Sequence, residues 1–383
     1  MTNSSLRFAL KCSSAALVAL TLVGCGARDG KKELAEAEVA YGVRDLGKAD
    51  RLLAKSLSYV GDNVDALIWA ARVKLELGDL SAAADFLGRV EGLAGGDVDI
   101  ELLGAQIAYH SKDYAAAARR FAAVADSRGL SVNLQAEALA GLGIVEMTRN
   151  EYDAARIAFL KAIRLDRRNA AARYHLGLLY RDGFGYTEAA LEQFEIFVRL
   201  ETNADVRVVR TQRSIIPELK ETLARQAMDR PGASQRDSSA AAAALARATA
   251  ARKKKDYRTA KREYAQAFAA DALSYPAALG LAEMWAATDA SLSGQKKTLE
   301  IYRSACALNA SAVKTLVTTG DLAYKLSNYA TAVETYSRAV AANPADLTAI
   351  DGLIRSLGKV GGRRKIAAAY QAYRDFVVAS RRK

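Results

Sequence analysis

Proline is nearly absent from this chain, with 4 in 383 positions. Proline is the strongest helix breaker, so its scarcity beside abundant alanine favours helix throughout. Tryptophan occurs twice, and aromatic residues make up 7%, most of them tyrosine. Runs of β-branched residues with period two are missing, which argues against sandwiches and barrels. The 2 histidines, His110 and His175, stand 65 positions apart, so no zinc or iron centre built on a histidine pair is expected. The 3 cysteines (Cys12, Cys25, Cys306) are too few for a disulfide framework. A long membrane-spanning apolar run is missing too. What is present is a globular composition, 51% hydrophobic and 26% charged, which excludes wholesale disorder. The formal charge is +12, a balance suited to anionic partners.

The first residues read as an address. Arg7 and Lys11 form a basic start, and Cys12 to Val23 is small or apolar throughout. That length fits the apolar region of a signal peptide and falls short of the ~20 residues that span a bilayer. The segment closes on Leu22-Val23-Gly24-Cys25, which resembles the lipobox of bacterial lipoproteins. The resemblance implies cleavage before Cys25, lipidation of its thiol, and removal of residues 1–24. Losing Arg7 and Lys11 lowers the formal charge from +12 by two, to +10. Residues 25–32 are expected to tether the lipid to the first helix. Gly26 follows the cysteine where some bacteria use aspartate to retain lipoproteins at the inner membrane. An outer-membrane position facing the periplasm is therefore expected. Cys306 is then the sole free thiol, read as a small buried hydrophobe.

The body repeats itself. Leu46-Gly47-Lys48-Ala49, Leu80-Ser81-Ala82-Ala83, Tyr114-Ala115-Ala116-Ala117, Tyr152-Asp153-Ala154-Ala155 and Tyr186-Thr187-Glu188-Ala189 begin 34, 34, 38 and 34 residues apart. Each follows a polar or glycine turn, and Leu53, Leu87, Phe121 and Phe159 stand seven positions on. A second series begins at Tyr257 and Tyr329, with an intervening unit from Tyr275 to Tyr302 and a degenerate one over Leu347–Phe376. Each unit alternates two apolar-striped helices, and neither buries its stripe alone. The pattern resembles the tetratricopeptide repeat (TPR): Leu142-Gly143, Leu176-Gly177 with Tyr180, and Gly320 match its first helix, and Pro344 its closing proline. The resemblance implies an all-α solenoid of stacked antiparallel helix pairs in a right-handed superhelix. Two further helices are expected at Val206–Arg213 and Pro217–Met228. The polar stretch 229–239 reads as a linker between repeat blocks 33–228 and 240–380.

Catalytic patterns fail one by one. Gly141-Leu142-Gly143 lacks the third glycine of a nucleotide loop and falls inside a repeat helix. Ser356-Leu357-Gly358-Lys359 lacks the partner motifs of penicillin-binding proteins. His175 is read as a surface or groove side chain. No catalytic residue, cofactor or metal is expected, and the chain is read as a non-enzyme. The basic clusters Arg207/Arg210/Arg213, Arg252–Lys255, Arg363–Lys365 and Arg381–Lys383 read as solvated faces, or as contacts to anionic polymer. Nucleic acid is not expected, because the aromatic residues sit at packing positions and not among these charges.

TPR proteins hold partners along the concave face lined by their first helices. By that resemblance, Gln106, Tyr109, Tyr174, Arg181, Arg252, Asp321 and Tyr324 are the candidate groove residues, a mixture suited to peptide recognition. The sequence thus reads as a membrane-anchored TPR scaffold or adaptor lipoprotein serving an envelope assembly such as a pilus, secretion, outer-membrane or cell-wall complex. Its partners would be proteins or peptides, and the membrane through Cys25. The alternative is an electrostatic binder of peptidoglycan or lipopolysaccharide.

Overall fold

The structure is a computed structural model, and it describes residues 29–381 apart from 95, 128, 202–205, 231 and 235. The expected signal peptide, lipobox and Cys25 lie outside the described residues. Among those residues the fold is all helix, without a strand. Contacts divide the chain after Ala171 into two compact units.

The first unit holds four helix pairs: α1 (Lys31–Gly42) with α2 (Leu46–Tyr59), α3 (Val64–Leu77) with α4 (Leu80–Ala94), α5 (Val98–His110) with α6 (Tyr114–Asp126), and α7 (Val132–Thr148) with α8 (Tyr152–Leu165). The second unit begins with α9 (Ala170–Leu178) and α10 (Thr187–Leu200), then α11 (Val206–Arg210) and α12 (Ile216–Met228). It continues with α13 (Ser238–Lys253) and α14 (Tyr257–Ala270), α15 (Tyr275–Thr288) and α16 (Leu292–Leu308), α17 (Val313–Lys325) and α18 (Tyr329–Ala342), and α19 (Leu347–Leu357) and α20 (Arg364–Ser380). This is the expected solenoid of antiparallel helix pairs.

Most pairs turn in the same way. The residue two places before the second helix takes a left-handed conformation: Arg44, Lys112, Asn150, Lys255 and Ser327 at φ between 58° and 65°, and Gly78 at 81°. At most of these turns that twist brings an Asp or Asn to the N-cap; after Asn150 the N-cap is Glu151, which makes no side-chain cap bond. Asp45, Asp113, Asp256 and Asn328 each accept a bond from a backbone N–H of the first turn, which would otherwise lack a partner. The repeated leading residue is therefore the first residue of a helix. The alanine three places on is fully buried at Ala49, Ala83, Ala117, Ala155, Ala260 and Ala332.

Seven places on stands the large side chain that binds neighbouring helices. Phe159, Phe194, Tyr264 and Tyr336 are buried, and each lies against a first-helix glycine. Phe159 meets Gly143, Phe194 meets Gly177 and Tyr264 meets Gly280. Tyr336 meets two glycines, Gly320 of its own pair and Gly352 of the next. The absent Cβ lets the ring approach the helix backbone.

Two stretches differ from the sequence reading. In the fifth unit the alanine expected at 189 is half-buried and Ala190 is buried in its place. Tyr186 is the N-cap and Thr187 starts the helix. The cause is a π-turn at Leu179–Phe184, which adds one residue to the first helix and shifts the register. The second stretch, 206–228, runs as one helical segment and not as two helices. Pro217 would clash with the carbonyl four residues earlier, and a π-turn over Thr211–Ile215 widens the spiral there. His175 also departs from expectation. It is buried on α9, with its ring 5.3 Å from that of Tyr174.

Candidate functional site

The expected groove residues all stand on first helices or their extensions. Gln106 and Tyr109 belong to α5 of the first unit, Tyr174 to α9 and Arg181 to the π-turn that follows it. Arg252 lies on α13, and Asp321 and Tyr324 on α17.

The structure brings Asp321 and Tyr324 together through Arg355, a residue of α19 that the sequence reading missed. The Tyr336 hydroxyl donates to Asp321 Oδ1 at 2.5 Å, and Arg355 donates to both at 3.2 Å. The guanidinium lies over the Tyr324 ring, 4.6 Å from its centre, a cation–π arrangement. Tyr324 in turn packs edge-on against Tyr329 at 5.3 Å. Burial and then the Asp321 carboxylate push the Tyr336 phenol well above the usual tyrosine range. Burial pulls the Arg355 guanidinium down. Its bond to Tyr336 and the charge of Asp321 more than offset that pull, so its pKa is raised. Asp321 and Arg355 remain exposed and Tyr324 is half-buried, so the carboxylate and guanidinium face solvent over the buried Tyr336 ring.

Arg252 forms a related group. It pairs with Glu283 of α15 at 2.5 Å, and its pKa is raised first by a hydrogen bond to Tyr264. Tyr264 occupies the same helix position as Tyr336, seven after the start. In both groups a second-helix tyrosine bonds an arginine of one first helix, and that arginine pairs with an acid of a neighbouring first helix. The signal in the sequence is spacing: Asp321 and Arg355 are 34 apart, one repeat.

The other candidates stand apart. Tyr109 shares a 3.3 Å hydrogen bond with Thr148 of α7 and packs against Tyr114 at 5.6 Å. Tyr174 is drawn into its own pair, with ring centres 5.0 Å from Phe197 and 5.9 Å from Phe194. Arg181 is held by Asp182 through two bonds of 2.6 and 2.8 Å. Gln106 is half-buried on α5. No cluster of three metal-ligating side chains occurs among the described residues. No described helix is long and apolar enough to cross a membrane. Cys306 is buried with its sulfur 3.2 Å from the Thr319 hydroxyl, and burial raises its pKa, which leaves the thiol protonated and unreactive.

Residues 102–167 and 142–204 match the family model for tetratricopeptide repeats, so that stretch carries such repeats. A comparison with curated proteins gives no match. Among solved structures, the TPR protein TTC0263 of Thermus thermophilus is 18% identical, covering 49% of this chain and 99% of its own, with a TM-score of 0.42. PilF of Pseudomonas aeruginosa is 15% identical over 69% of this chain and 100% of its own, at a TM-score of 0.41. A MamA fragment from Desulfovibrio magneticus is 19% identical over 48% of this chain and 99% of its own, at 0.39. These likenesses concern the helical fold alone.

Proposed function

We propose that this chain is a membrane-anchored adaptor that holds protein partners on its first helices within a bacterial envelope assembly. TPR folds act as protein-interaction scaffolds, and the repeats at 102–204 support that class. The observation that carries the reading is the Asp321–Arg355–Tyr324 group, with its two charged members exposed and held from below by the buried Tyr336. It presents a rigid aromatic ring beside one carboxylate and one guanidinium, held in fixed geometry by mutual bonds. Such a surface loses little conformational entropy on binding a peptide. The anchor rests on Leu22-Val23-Gly24-Cys25, and the outer-membrane, periplasm-facing position on Gly26. Two or three acyl chains, at ~0.8 kcal/mol per buried CH₂, hold a protein durably on a membrane.

Crosslinking in cells, solubilisation of membranes and capture of the full chain is the test. Wild type should retain a specific protein partner. Tyr324→Ala combined with Arg355→Ala should lose most of it while keeping the same helical circular dichroism. Equal recovery by both forms would sink the first-helix site. Fatty-acid labelling of wild type against Cys25→Ser tests the anchor separately, and label of equal strength in both would overturn it.

A further inference from the structure

The second helices carry a groove of their own. It measures about 700 Å³ and lies between α14 and α16, with α15 beneath. Phe268, Leu281, Trp285 and Ile301 supply apolar lining. Arg258, Lys261, Arg262 and Lys297 supply four cations against the single carboxylate of Glu300. Arg258 and Lys261 make no ion pair among the described residues. Arg262 shares the buried Glu263 with Arg247, and Lys297 pairs with Glu300 at 3.0 Å, both ends exposed. The pair that makes the floor and one wall is unusual. The α15–α16 turn has no left-handed residue, and α16 runs 17 residues against 14 for α14 and α18.

We infer that this groove docks an acidic peptide segment of a protein partner, seating an aliphatic or aromatic side chain on the apolar lining and its carboxylates among the cations. Charge complementarity sets the sign, since four cations around one carboxylate repel any basic segment. The apolar lining sets the kind of ligand. A purely charged polymer would cover the half-buried Phe268 and Trp285 without matching them. A saccharide would need an open aromatic face, and the Trp285 ring is covered by the Lys261 ammonium at 3.2 Å while it packs against the core. That ammonium stands over the ring as a fixed positive charge. The groove is made by other residues than the Asp321–Arg355 lattice, so it is a second contact surface.

The test uses the full chain in detergent and a short fluorescent peptide that alternates glutamate with leucine and phenylalanine. Binding is read by anisotropy. Wild type should bind, more weakly as salt rises. Arg258→Glu with Lys297→Glu, both exposed, should weaken binding about tenfold or more, which is ~1.4 kcal/mol. Polyglutamate of equal charge should bind at least about tenfold more weakly than the mixed peptide. Tyr324→Ala with Arg355→Ala should leave the affinity unchanged, so this surface and the first-helix site fail separately. A photo-crosslinking version of the peptide should mark α14 and α16 in wild type. The proposal is overturned by equal affinity of wild type and the charge-reversed form, by equal affinity for polyglutamate, by crosslinks elsewhere, or by displacement of the peptide by purified peptidoglycan or lipopolysaccharide.

Discussion

A β-carbon added at Gly352 would stand 2.2 Å from the Tyr336 ring, and one at Gly143 would stand 2.5 Å from that of Phe159. Both rings are fully buried, so neither can move aside freely. Gly352→Ala and Gly143→Ala should each cost about 1–3 kcal/mol through overpacking. Gly88 on α4 has nothing within 4 Å, and Gly88→Ala should instead stabilise by up to about 1 kcal/mol through helix propensity. Urea midpoints read by circular dichroism check all three, and a common direction of change would falsify the packing account. Glu137 on α7 makes a different residue-scale prediction. Burial, and then the charge of Asp99, push its carboxyl from the ordinary 4.5 up to about 7. Between those values the folded chain holds a proton that the unfolded chain releases. Its contribution to stability is present in full below pH 4.5 and is lost as pH rises through about 7. Glu137→Gln should therefore be more stable than wild type at pH 8, by about 1–3 kcal/mol, and the gap should shrink toward zero near pH 4. A gap independent of pH would contradict it.

At the scale of the element, the turn between paired helices asks for φ near +60°. Lys112 supplies it with a full side chain, whereas Gly78 supplies it without steric cost. Lys112→Gly should raise stability by about 0.5–1 kcal/mol, and Lys112→Val should lower it, as calorimetric melting temperatures would show. Second helices were legible in the sequence because their start is written chemically: a capping Asp or Asn, a leading Tyr or Leu, an alanine three on and a ring seven on. The fifth unit was legible only to within one residue. The π-turn at Leu179–Phe184 lengthens a helix without changing the polar and apolar pattern that periodicity reads. Pro217 marked a helix start in the pattern, and the π-turn before it kept the helix continuous. The grouping of the candidate site was half legible. Asp321 and Tyr324 followed from repeat position. Arg355 acts from the neighbouring pair, and only side-by-side packing of α17 and α19 brings its guanidinium to them. His175 was misplaced for the same reason, since burial depends on which neighbour covers a helix.

For the whole molecule, stacking means that each pair is held by its neighbours and an end pair by one neighbour alone. Cutting the chain after Ala345 removes α19 and α20, and with them the Gly352 face over Tyr336, the Arg374–Asp351 ion pair and the Tyr373 bond to the Pro344 carbonyl. The shortened chain should stay helical and melt earlier, with its tyrosine fluorescence more readily quenched by iodide. An unchanged melting temperature would mean that α20 closes nothing. Tyr336 also sets how the pairs may move. Its ring sits against Gly320 on one helix and Gly352 on another. Sliding α19 past α17 by one residue would bring Asp351 or Leu353 to the place that only a glycine fits. The ring is thus a detent: it lets the two helices bend together and forbids their slipping, so a load on one pair passes to the next as rigid displacement and not as a change of register.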